Sequence, residues 1–135
     1  MVNRHHSAPL ALALVAVVLA GCAPTTAPDP AETVRQLAAV EVRLAALSAG
    51  EPRHPGDDGQ TYFAALVPVA QEGWRRASEL RAVTATAGTA ELAASYASLE
   101  GAARVGDVGA ARRARQRIAT AMATVQSTPQ QRNGG

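Results

Sequence analysis

Residues 89–125 read TAELAASYASLEGAARVGDVGAARRARQRIATAMATV, and two spacings in this stretch argue for a pair of antiparallel helices. Leu92, Tyr96, Leu99 and Ala103 recur at intervals of four, three and four, which puts them on one face of a helix. Ala111, Ala114, Ile118, Met122 and Val125 form a second stripe at the same period. Between the stripes stand Gly106 and Asp107. A glycine accepts the left-handed backbone that ends a helix, and an aspartate caps the amides that begin the next, so the two together specify a tight turn.

Working toward the N-terminus, Gly88 reads as a stop and Thr89 as the cap of the helix after it. Before them, 61–84 carries Phe63, Leu66, Val67, Ala70, Trp74, Ala77 and Leu80 at helical spacing, with Glu72 to Arg76 and Arg75 to Glu79 as outward i, i+4 pairs. Pro68 interrupts this pattern and predicts either a kink or a helix that restarts there, because proline lacks the amide and crowds the carbonyl of Ala64. Residues 50–60 contain no hydrophobic side chain and read as a loop. Upstream of the loop, Leu37, Val40, Leu44 and Leu47 mark one more helix face. Asp29 serves as its N-cap, Pro30 takes the first helical position and Glu32 completes a capping box. The fold class expected is therefore all-α: an antiparallel bundle of about four helices over 31–127, the second kinked at Pro68, with 128–135 a disordered tail. Trp74, Tyr62, Phe63 and Tyr96 are expected to mark its thickest part.

Composition sets the outer limits. In 135 residues, 47% are hydrophobic but only 3% aromatic, so alanine and small aliphatics supply the apolar surface. All 13 basic residues are arginine, and with 11 carboxylates they leave a formal net charge of +2, which does not suggest a nucleic-acid partner. The one cysteine, Cys22, rules out an intramolecular disulfide and any multi-cysteine metal site within one chain.

The first 22 residues have the layout of a secretory signal: Arg4 near the start, then a run from Ala8 to Ala20 without a charged side chain. That run is shorter than the roughly 20 apolar residues a permanent span requires. It ends in Leu19, Ala20, Gly21 and Cys22, and these four positions resemble the lipobox of bacterial lipoproteins. The resemblance implies that Leu19, Ala20 and Gly21 are recognised by the lipoprotein signal peptidase. It further implies that the Cys22 sulfur carries a diacylglyceryl group and that cleavage leaves Cys22 as the first mature residue. One acyl chain binds a bilayer marginally, whereas two or more anchor it stably. Residues 22–30 hold Pro24, Pro28 and Pro30, an extended tether on the order of 25 Å long at about 3.1 Å per residue. Ala23 does not carry the aspartate that retains Gram-negative lipoproteins in the inner membrane.

Candidate sites are few. His54, Asp57 and Asp58 lie close in sequence, but Pro55 and Gly56 make the segment an ordinary turn, and no metal or cofactor is expected. Haem would need an axial pair, for which the mature chain offers only His54 and Met122. Arg112, Arg113, Arg115 and Arg117 have two readings: contact with an anionic surface such as lipid headgroups, or the solvated side of an alanine-rich helix, the latter favoured. No nucleophile elbow, zinc-protease motif or phosphate loop is present. The expectation is an exported, lipid-anchored, non-enzymatic protein of the cell membrane or outer membrane. It would present its bundle to a protein partner in the envelope as an interaction or structural module. The alternative is a ligand-binding accessory of a transport or sensing system with a groove near Trp74 and Tyr96; a hydrolase using helix-borne carboxylates is the least favoured.

Overall fold

The computed structural model describes residues 27–54 and 56–128. The expectations for the signal segment, for Leu19 to Cys22, for most of the tether and for residues 129–135 fall outside them. Four helices account for most of the rest: α1 (Pro30–Leu47), α2 (Gln60–Val83), α3 (Ala87–Val105) and α4 (Val108–Ser127), with a single 3₁₀ turn at Ser48–Gly50. No strand occurs among the described residues, and none of their helices is long and apolar enough to cross a membrane.

Each helix begins on a chemical signal, though not always the expected one. The Asp29 carboxylate accepts from Ala31 N at 3.1 Å, and the buried Thr33 hydroxyl donates to Asp29 O. Glu32 does not close a capping box, because it is taken by Arg35 and Gln36 one turn on. At α3 the cap is Thr86, one turn earlier than expected. Its hydroxyl accepts from Thr89 N at 3.2 Å, Thr89 Oγ1 accepts from Thr86 N at 3.0 Å, and Gly88 sits inside the first turn as part of the helix. The α3–α4 junction follows the sequence reading: Gly106 takes the left-handed backbone at φ 71°, and Asp107 accepts from Ala110 N at 2.9 Å.

The helices alternate in direction. Gly73 in the middle of α2 meets Tyr96 in the middle of α3, Gly106 at the end of α3 lies beside Phe63 near the start of α2, and Gly88 at the start of α3 touches Thr124 and Val125 near the end of α4. Helices paired middle to middle and end to start must be antiparallel. The principal packed pairs are α1 with α2, α2 with α3 and α3 with α4. The chain is therefore a small up-and-down helical bundle.

α2 runs unbroken through Pro68. Pro68 and Ala64, the residue whose carbonyl loses its amide partner, are both exposed, so water can satisfy that carbonyl. A restart at Pro68 does not occur. The buried face of α2 is Tyr62, Leu66, Ala70, Gly73, Ala77 and Leu80. Phe63 and Val67 are half-buried, with the Phe63 ring edge-on to Tyr62 at 5.1 Å, whereas Trp74 is 47% exposed and does not belong to the core. Gly73 explains the exchange. A Cβ there would stand 2.6 Å from Tyr96 Cζ and closer still to Cδ1 and Cε1, so the missing side chain is the socket for the Tyr96 ring. Of the two ion pairs expected on α2, Glu72 with Arg76 forms at 2.9 Å, whereas Arg75 pairs with Glu72 instead of Glu79, which turns to Arg76 at 3.1 Å.

Candidate functional site

The four-arginine run of α4 divides by geometry. At 100° per residue, Arg112 and Arg115 point one way while Arg113 and Arg117 point another. Arg112 and Arg115 turn toward the connection after α1, where both grip Glu51. Arg112 Nε donates to Glu51 Oε1 at 2.9 Å, Arg115 Nη2 pairs with Oε2, and Arg115 Nη1 donates to Ser48 Oγ. Glu51 keeps only 10% of its side-chain exposure and Arg115 keeps 17%, while Arg112 remains at 54%. This clasp ties the C-terminal end of α1 to α4, two segments far apart in sequence. Tyr62 on α2 belongs to the same region: burial pushes its pKa up, the charges of Arg115 and Arg112 oppose that shift, and Glu51 adds to it.

The clasp is the most concentrated polar arrangement crossing between helices. Removing one member of a largely buried ion pair leaves its partners desolvated and unmatched, and the partial exposure of Arg112 moderates the cost. Glu51→Ala is expected to destabilise the full chain by about 1–2 kcal/mol in urea unfolding. An unchanged midpoint would show that the clasp holds nothing.

Arg113 and Arg117 line, with Glu91, Gln116 and Thr120, a shallow depression between α3 and α4. Of the four arginines these two remain turned away from the clasp.

Between α1 and α4 lies an open groove of about 530 Å³, bordered by Ala38, Glu41, Val42 and Ala45 on one wall and by Arg115, Ile118 and Ala119 on the other. Partial burial holds the Glu41 carboxyl above its ordinary pKa. A raised folded value means that the native state binds this proton more readily than the unfolded chain does. The associated stability is complete in acid, falls as pH rises through the interval above the ordinary carboxylate value, and is absent at neutral pH. Glu41→Gln is therefore expected to raise the melting temperature at neutral pH and to leave it unchanged in acid below the carboxylate range. Melting curves at the two pH values test this, and an equal shift at both would refute it.

Trp74 and Tyr96 do not share a groove. Tyr96 is completely buried and its hydroxyl has no hydrogen-bond partner; burial and then the Glu41 charge push its pKa up, with Arg43 opposing. The depression beside Trp74 is formed instead by Pro68, Gln71, Glu72, Arg75 and Glu100, and a bond from Gln71 Nε2 to Glu100 Oε1 at 2.9 Å crosses from α2 to α3 there. Ser48, Glu51 and Tyr62 were not singled out in the sequence as site residues. The only signal for them was that Glu51 sits just after the helix that ends near Gly50.

The loop after α1 uses its acids on its own backbone. Asp57 accepts from Arg53 N and His54 N, each at 2.9 Å, which holds its pKa below the usual value, and Asp58 accepts from Gln60 N at 2.9 Å. Among the described residues, no three His, Cys, Asp or Glu side chains stand close enough to hold a metal ion. No protein-family model, curated protein or solved structure matches the chain.

Proposed function

We propose that the chain is a bacterial lipoprotein, exported and held at the outer face of a membrane by an acylated Cys22, whose helical bundle serves as a non-enzymatic interaction or structural module of the envelope. The observation that carries this reading is the order Leu19, Ala20, Gly21, Cys22 at the end of an uncharged run, followed by Pro24 and Pro28 before the first helix begins at Pro30. A thiol suits the role because its thiolate is a strong nucleophile toward the lipid donor, and small neighbours let the backbone enter a narrow intramembrane enzyme.

The direction of the helices supports a specific presentation. The start of α1 shares one end of the bundle with the α2–α3 connection and the end of α4. The connection over 51–59 and the Gly106–Asp107 turn form the opposite end. A chain tethered through Cys22 therefore offers that second end to the envelope. It carries exposed Arg53, His54, Asp57 and Asp58 beside a depression lined by Pro52, Phe63 and Val108. Mixed charge around an apolar floor suits a protein partner better than a polyanion.

Labelling cells with an alkyne fatty acid tests the anchor. The wild-type chain is expected to take up label and to fractionate with membranes, and Cys22→Ala to lose both properties. A wild-type chain without label, or a Cys22→Ala chain still bound to membranes, would overturn the reading.

A further inference from the structure

Trp74 is the largest apolar side chain exposed among the described residues; the others are Val42, Val83 and Val105. Leaving an indole in water forgoes the stabilisation that its burial would bring. The ring lines a depression of about 550 Å³ with Pro68, Gln71, Glu72 and Arg75 of α2 and Glu100 of α3. That volume falls within the roughly 300–1,000 Å³ that small-molecule sites span. The depression is open, so it suits a ligand laid across it more than one enclosed by it.

The polar groups around the ring are held in place and only partly used. Glu100 Oε1 accepts from Gln71 Nε2 at 2.9 Å and from Arg104 Nε and Nη2 at 2.9 and 2.7 Å. The Gln71 bond, and after it Arg104, holds the Glu100 pKa below its ordinary value, which keeps the carboxylate ionised at neutral pH. All three donors stand on one oxygen. Among the described residues, none reaches Glu100 Oε2 or Gln71 Oε1. Charge is balanced, since the carboxylates of Glu72, Glu79 and Glu100 are matched by the guanidiniums of Arg75, Arg76 and Arg104. Such a rim has no surplus charge to attract an ion. It offers acceptors beside a flat apolar ring whose N–H donates, and a hydroxyl-bearing ligand both donates and accepts.

We propose that the depression around Trp74 binds a neutral saccharide chain, with the apolar face of one pyranose ring against the indole and its hydroxyls on Glu100 Oε2 and Gln71 Oε1. The C–H groups on that face carry slight positive charge and meet the negative face of the indole. This gives the interaction module a ligand class. It rests on the envelope reading only for where such a chain is met, because the site uses side chains of the bundle alone. The bilayer interface is the competing destination for an exposed tryptophan. Two features oppose it: charged side chains surround the ring, and Trp74 lies nine residues, about 14 Å of helix, from Val83 at the end of the bundle where the tether enters.

The test follows the emission of Trp74, the only tryptophan in the chain, while the full chain is titrated with cellotetraose or with the tetramer of N-acetylglucosamine. The expected result is a saturable change with at least one of the two. Calorimetry on variants then locates the site. Trp74→Ala should abolish binding, and Glu100→Ala should raise the Kd about tenfold through the loss of a hydrogen bond to a charged acceptor. Neither side chain belongs to the core, so both variants retain the fold. Fatty-acid labelling reads the anchor and this titration reads the depression, so failure of one is distinguishable from failure of the other. No change with either tetramer would overturn the proposal, as would an affinity that Trp74→Ala or Glu100→Ala leaves unaltered. An emission that responds to phospholipid vesicles and to neither saccharide would also overturn it, because that is the behaviour of a ring facing the membrane.

Discussion

Gly73→Ala is expected to destabilise the chain by about 1–2 kcal/mol, although alanine is the better helix former at nearly every other position. The intrinsic preference favours the substitution by about 1 kcal/mol in a helix interior. Against it stands the Tyr96 ring, which occupies the space where the methyl would go, with Cζ at 2.6 Å. Neither element can yield easily, because Tyr96 is fully buried between neighbours and Gly73 lies mid-helix. Overpacking of this kind usually costs about 1–3 kcal/mol, and here a backbone shift between α2 and α3 must accompany it. Urea unfolding measures the loss, and a double-mutant cycle identifies its origin. Adding Tyr96→Leu should recover part of the stability lost in Gly73→Ala, since the smaller side chain vacates the socket. Strict additivity of the two changes, or a stabilised Gly73→Ala single variant, would show that the ring does not occupy that position in solution.

The second large effect concerns α1. This helix packs chiefly on α2, and an open groove separates it from α4. Its hold on the bundle therefore depends on Leu37, Val40 and Leu44, with the Glu51 clasp just beyond its end. Leu37 is fully buried in a core where many neighbours are alanines, which have no long side chains to swing into a void. Leu37→Ala is expected to cost about 2–4 kcal/mol. The loss should be local before it is global: amide exchange in α1 should accelerate more than in α3, as the helix with the fewest packed neighbours opens first. Uniform acceleration across all four helices would contradict this.

The bundle was legible where the pattern is carried by residues that signal themselves. Leu92, Tyr96, Leu99 and Ala103 on α3, and Ala111, Ala114, Ile118 and Met122 on α4, are the buried stripes that their spacing predicts, and Gly106 with Asp107 turns the chain as expected. The one misassigned position on the expected face of α2, Trp74, has a specific cause. A reader of hydrophobicity moves from Ala70 to Trp74, because tryptophan is apolar and glycine has nothing to bury. The core instead takes Gly73, whose value lies in the room it leaves for a ring from another helix. An isolated glycine in an otherwise helical pattern was the available clue.

The arginine run has a mixed outcome for a similar reason. The division of Arg112 and Arg115 from Arg113 and Arg117 follows from 3.6 residues per turn and could have been derived from the sequence. That Glu51 would be the partner could not, because it requires the end of α1 to come beside α4. Capping errors at Glu32 and Gly88 have a local origin. Glu32 had a closer competitor in Arg35, and Thr86 supplied a cap one turn before the glycine that was read as a stop.

The anchor at Cys22 is the claim on which the presentation of the bundle rests, and intact mass spectrometry of the protein extracted from its native membrane reads it directly. The account predicts a chain that begins at Cys22 and exceeds its polypeptide mass by a diacylglyceryl group, with or without a further acyl chain. A chain that retains residues 1–21, or one whose Cys22 thiol carries no lipid, would contradict it.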